Sequence, residues 1–158
     1  MEEINMRWSS RWKNVDKPLG YLSHAVYEIR LVNGQGHAVT INRFLNTDKK
    51  GILCIGMATN MENRRKQFNS GEQGRRRHSE GNLLFLLKEY SHFEAKHGNS
   101  KYEYHFKKLN TKDDATKKET KLIKDYVKQY GEVPPLNSAI PNRYDQITWD
   151  DRKNLFDE

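Results

Sequence analysis

Cysteine is almost absent from this sequence: among 158 residues it occurs once, at Cys54, so no disulfide can form within the chain. One thiol and scattered histidines also make no tetrahedral zinc site, and a reducing compartment is the expectation. Long apolar runs are missing too. No stretch approaches the roughly 18 apolar residues a membrane-spanning helix needs, and the opening MEEINMRWSSRWKN has no apolar signal segment. These absences predict a soluble, cytoplasmic protein without a membrane partner. Acidic residues are outnumbered, 21 against 28 lysines and arginines, and the resulting charge of +7 favours a polyanionic partner such as nucleic acid. The length suits one domain, and no internal repeat or low-complexity linker divides it.

What is present is an alternation of strand-like and helix-like segments. In HAVYEIRLV, residues 24–32, Ala25, Tyr27, Ile29 and Leu31 share one face, which reads as a strand. Asn33-Gly34-Gln35-Gly36 supplies a turn, and HAVTI at 37–41 is expected to return as a second strand. The run Ile52-Leu53-Cys54-Ile55 predicts a buried strand ending at Gly56. Thr59 or Asn60 would then cap a helix from Met61 to about Phe68. Leu83, Leu86, Leu87, Tyr90 and Phe93 mark a further helix, and KYEYHFKKL alternates aromatics at 102, 104 and 106 as a half-exposed strand does. The last helix carries Ala115, Leu122, Ile123, Tyr126, Val127 and Tyr130 and stops at Gly131 before Pro134-Pro135. The fold class is therefore α+β, a small, mainly antiparallel sheet flanked by helices. Residues 1–22 read as an N-terminal extension, 23–141 as the domain, and 142–158 as a tail with five acids, three bases, Trp149 and Phe156.

Two helices carry charge where apolar residues belong. Glu119 shares the stripe of Ala115, Ile123 and Tyr126, and a buried carboxylate needs a cation, a metal ion or a solvated cleft. A boundary glutamate that reaches water or pairs with Lys118 is the simpler account from periodicity alone. Arg64 and Arg65 interrupt the face defined by Ala58, Met61 and Phe68, so at least one guanidinium should lie near the sheet. Its planar fork suits phosphate oxygens, although an arginine stem lying along the apolar face explains the pattern as well. From Arg64 to His78 there are six basic residues and one acid, Glu72, and Arg65, Lys66, Arg75, Arg76 and Arg77 are the expected contacts to a nucleic-acid backbone.

The order of these elements resembles the GIY-YIG nuclease family. Ala25-Val26-Tyr27 stands for its first signature and Cys54-Ile55-Gly56 for its second. MATNMENR is similar to the stretch entering the family's helix, with Arg64 at the position of the catalytic arginine. KKETKLI resembles the segment of the metal-binding glutamate, which falls on Glu119, and PPLN places an accessory asparagine at Asn137. The resemblance spans about residues 25–137. It implies a GIY-YIG-like fold and a metal-dependent DNA endonuclease using one divalent cation, Mg2+ or Mn2+, held by Glu119. Arg64 would hold the phosphate, and Tyr27 would orient or help deprotonate the attacking water.

Departures from the family pattern bear on activity rather than fold. Cys54 replaces the second-signature tyrosine and offers no phenol; a small buried apolar residue is its simpler role, a catalytic thiol the other. Met57 stands where some relatives carry lysine. His78 is a candidate accessory base, although a surface histidine in a basic loop is the commoner explanation. The segment between the signatures is longer than in compact relatives, which an extra hairpin or DNA-contacting loop would explain. The alternative is a catalytically impaired nucleic-acid-binding module of the same fold. Standalone size favours a restriction-like or mobile-element enzyme, and double-strand cutting would call for a homo-oligomer or sequential nicking.

Overall fold

The computed structural model describes residues 7–72 and 96–137. Its centre is the strand anticipated around Tyr27, β2 (Ser23–Val32), which is flanked on both sides. On one side runs β5 (Ile52–Asn60) and on the other β6 (Lys101–Lys108). β1 (Lys13–Asn14) adds to the outer side of β6, giving the order β1-β6-β2-β5 with every pairing antiparallel. A two-stranded hairpin of β3 (Ile41–Asn42) and β4 (Thr47–Asp48) stands apart from this sheet. α1 (Met61–Glu72) follows β5 without a loop, and α2 (Lys112–Tyr130) follows β6. The class is α+β. No helix among the described residues is long and apolar enough to cross a membrane.

Alternation along β2 divides the core. Ala25, Tyr27, Ile29 and Leu31 pack with Cys54, Ala58, Tyr102, Tyr104 and Phe106 and with Met61 and Phe68 of α1. On the other face Ile52 and Ile55 pack with Ile123, Tyr126 and Tyr130 of α2. A register irregularity beside Ile29 lets Leu53 and Cys54 both join the first cluster, so the continuous apolar run at 52–55 feeds both faces. Thr111 caps α2, its side chain accepting from the Asp114 amide at 3.1 Å. Gly131 ends the helix in the left-handed conformation at φ 80°.

Several expectations change. Segment 7–22 is no appendage: Ser9 and Val15 donate backbone hydrogen bonds to Phe106 and Tyr102, and Val15 is in the core. HAVTI does not form a full strand. It makes one bridge, Val32 to Ala38, before the short hairpin. β5 runs on past Gly56 to Asn60, which caps α1 by accepting from the Asn63 amide at 3.1 Å. α1 extends to Glu72, beyond the expected stop near Phe68. The expected helix at 83–93 and the tail at 142–158 lie outside the described residues.

Candidate active site

Tyr27 sits opposite Gly56 in the β2–β5 register, so segments 25–27 and 54–56 are cross-strand neighbours. The phenol lies across the glycine. A Cβ at position 56 would meet the Tyr27 hydroxyl and Cζ, with Cε1 at 2.9 Å, closer than carbon atoms approach without a shift. Glycine is thus required by the ring beside it rather than by a turn. Tyr27 itself is only 1 % exposed. Cys54 pairs in register with Ile29 and is fully buried in the same cluster, in keeping with the small apolar role.

The two adjacent arginines of α1 have different fates. Arg65 is 6 % exposed; its Nε and Nη2 donate to the Glu62 carboxylate at 2.9 and 2.7 Å, and Nη1 donates to the Val15 carbonyl at 2.7 Å. The Arg65 guanidinium holds the Glu62 carboxyl below its usual range, and the Leu19 amide adds a hydrogen bond at 3.0 Å. Glu62 in turn raises the Arg65 pKa. The expectation that Arg65 contacts nucleic acid is corrected: its donors fasten α1 to the N-terminal segment. Arg64 instead lines an open polar recess of about 140 Å³ with Ala58, Thr59, Asn60, Asn63 and Gln67. It forms no salt bridge among the described residues. Helical geometry produces this split, since consecutive residues diverge by 100° and only one can follow the Met61–Phe68 face. Lys66 is exposed on the same helix, while Arg75, Arg76, Arg77 and His78 lie outside the described residues.

Glu119 is inward, as its place in the stripe requires, and 5 % exposed. α2 packs on the Ile52–Ile55 face, whereas Tyr27 belongs to the face covered by α1. Tyr27 and the α2 stripe therefore approach the sheet from opposite sides, with β5 as the strand shared by both. Among the described residues no three His, Cys, Asp or Glu side chains converge to hold a metal. A cation at Glu119 would take its other oxygens from water and phosphate, a common arrangement for Mg2+.

Asn137 locks the outer edge of β5. Its Oδ1 accepts from the Ile55 amide and its Nδ2 donates to the Ile55 carbonyl, both at 2.9 Å, and the Leu136 amide donates to Leu53 at 2.8 Å. The segment covers the unpaired edge, and the side-chain amide is committed to positioning β5.

Three features were not anticipated. His24, between the Ser23–Asn60 and Ala25–Ala58 pairs, has φ 42° and a buried Nδ1 without a hydrogen-bond partner among the described residues. Its backbone is strained as residues at functional sites often are. Asp48 is fully buried and accepts from the Lys50 and Ile52 amides and from the Tyr126 hydroxyl, at 2.8, 3.1 and 2.9 Å. Burial and that carboxylate raise the Tyr126 pKa well above the ordinary phenol range. His105 is sandwiched between Trp8 and Trp12, each ring centroid 3.6 Å away, and Arg30 covers the far side of Trp12 at 4.4 Å. Its Nε2 lies 2.8 Å from Glu28, but burial outweighs that carboxylate and pushes the imidazole pKa down. The period-two alternation of β6 put His105 on the opposite face from Tyr104, but nothing local announced its tryptophan partners.

No family model matches the chain, and no curated protein or solved structure matches it significantly.

Proposed function

We propose that the protein is a metal-dependent DNA endonuclease of GIY-YIG type. The observation that carries this reading is Arg64: on a helix that springs directly from β5, it lines a polar recess while its neighbour Arg65 is consumed by an ion pair. Arg64 holds the scissile phosphate through its fork of donors and spreads the charge that develops there. Glu119 supplies the protein oxygen for one Mg2+ or Mn2+ ion, whose chemistry is to neutralise charge on the departing oxygen. The resemblance implies that Tyr27 orients the attacking water, but its phenol is buried against Gly56 on the sheet face away from the α2 stripe, so the proposed chemistry rests on Arg64 and Glu119. Asn137 holds β5 in place, and the cationic segment from Lys66 to Arg77 supplies sequence-independent contacts to the backbone.

A second reading, a nucleic-acid-binding module without turnover, draws support from the burial of Tyr27 and from Cys54, which provides no second phenol. Incubation with supercoiled plasmid and Mg2+ or Mn2+ separates the two. The nuclease reading expects nicks or cuts, lost with chelation and in Glu119→Ala, while Glu119→Ala retains binding. Equal cleavage by wild type and Glu119→Ala would sink the catalytic assignment, and tight binding without any cleavage would establish the second reading. Sequencing the ends produced from a large, diverse DNA distinguishes a restriction-like enzyme, cutting at discrete sites, from one that recognises DNA structure.

A further inference from the structure

Among the described residues three large apolar or aromatic side chains are exposed, Tyr21, Phe44 and Leu45, and the last two, at 81 % and 62 %, stand together at the tip of the β3–β4 hairpin. Exposed apolar residues are ordinary on protein surfaces. What is unusual is how firmly this tip is fastened while its side chains are left outside. The Leu45 amide donates to Tyr130 at 2.9 Å, and the Phe44 amide to Glu132 at 3.1 Å. Arg43 donates to the Val133 carbonyl at 2.6 Å and pairs with Glu132 at 3.0 Å. Below the tip, Asp48 ties the hairpin to β5 and to Tyr126 of α2. Gly131 makes room for the arrangement, since a Cβ there would stand 2.6 Å from the Leu45 side chain. A loop held this rigidly loses little freedom when it binds something.

We propose that Phe44 and Leu45 form an apolar wedge that enters a base step of duplex DNA, bending it across the protein. The inference rests on the nucleic-acid reading above and goes beyond it by naming the element that deforms the substrate. Charge around the tip fits a polyanion. Lys49 and Lys50 follow β4 and Lys128 stands in the last turn of α2, all three exposed, whereas Glu132 is paired with Arg43 and Asp48 is buried with its oxygens turned to the Lys50 and Ile52 amides and the Tyr126 hydroxyl. Size also favours a base step over a protein partner. A stable protein interface needs about 800 Å² from each side, and two side chains supply far less, whereas phenylalanine and leucine are typical wedge residues. The tip lies at the C-terminal end of α2, roughly 17 Å along the helix from Glu119 near its middle, on the order of half a turn of duplex. One DNA molecule can span both.

The test uses the full chain, a 30-base-pair duplex labelled at both ends for energy transfer, and Mg2+ replaced by Ca2+ to prevent cutting. The Phe44→Ser, Leu45→Ser double variant should bind roughly tenfold or more weakly, lose the bend seen as end-to-end transfer, and keep the wild-type salt slope. Lys49→Ala with Lys50→Ala should instead lower that slope by about 2. Phe44→Trp should retain the bend, with its fluorescence quenched on binding. Wild-type affinity and bend in the double variant would overturn the wedge while leaving DNA binding intact. Absence of duplex binding by the wild type at low salt would overturn the nucleic-acid reading and the wedge with it. A loss of self-association in the double variant with DNA binding unchanged would assign the tip to a second copy of the chain, against the proposal.

Discussion

Gly56→Ala puts a methyl carbon where the Tyr27 ring already lies, within 2.9 Å of Cε1 and nearer still to Cζ. Tyr27 has no outward escape, because it is buried among Ala25, Ile29, Cys54 and Ala58. Overpacking of this kind costs about 1–3 kcal/mol. Removing glycine from a strand returns about 0.5–1 kcal/mol through the unfolded chain, so the net loss should be near 1–2 kcal/mol. At about 3 °C per kcal/mol for a chain of this size, the melting temperature should fall by roughly 3–6 °C. A double-mutant cycle read by urea unfolding isolates the contact. In the Tyr27→Val background the ring is gone, and Gly56→Ala should become neutral or mildly stabilising, a coupling of about 2 kcal/mol. An equal cost in both backgrounds would show that the glycine serves its own backbone and not the phenol, and the cross-strand argument would fail.

Three other predictions concern charge. Arg64→Ala should change stability by less than about 0.5 kcal/mol yet lower the DNA-binding salt slope by about 1; Arg65→Ala, which strands the Glu62 carboxylate, should cost about 3–5 kcal/mol. Because the Glu62 pKa is lowered in the fold from 4.5, its stabilisation is complete above that value and disappears as pH falls through the lowered one. Urea midpoints measured from pH 6 to 3 should decline less steeply in Glu62→Gln than in wild type. His105 is also depressed, from 6.5, so the unfolded chain takes up its proton first and stability should drop as pH falls below about 6.5. His105→Gln, which keeps a donor for Glu28, should flatten this limb, and an unchanged profile between pH 7.5 and 5.5 would contradict the neutral imidazole stack.

The legible parts of this fold are those with a local period. Tyr27 and its alternating neighbours, the aromatics of β6, and the α2 stripe with Glu119 inside it all obey spacings set within a few residues. Gly131 announced the end of α2 through its backbone freedom. Residues whose surroundings come from far along the chain were not legible. Lys13–Asn14 is too short and polar to read as a strand, and it exists because β6 offers an edge. Asp48 sits in a polar stretch that looks solvated until the Tyr126 hydroxyl meets it. The choice between Arg64 and Arg65 turned on Glu62 and the Val15 carbonyl, which no periodicity reveals. Within the candidate site, spacing identified Glu119 as inward and Arg64 as a candidate, while the recess around Arg64, the gap at Gly56 and the strained His24 emerged only from pairing β2 with β5.

The strand order also dictates a sequence of events during synthesis. β2 and β5 are close in the chain and can join as soon as both have left the ribosome, with α1 winding on directly behind them. β6 arrives much later, and β1, made before β2, pairs with no other described strand until then. Trp8 and Trp12 therefore emerge before the sheet's central strands and are buried after them, closing on His105 only once β6 exists. Their fluorescence should follow the final, slowest phase of refolding, the moment at which the amino-terminal segment finds the strand it waited for.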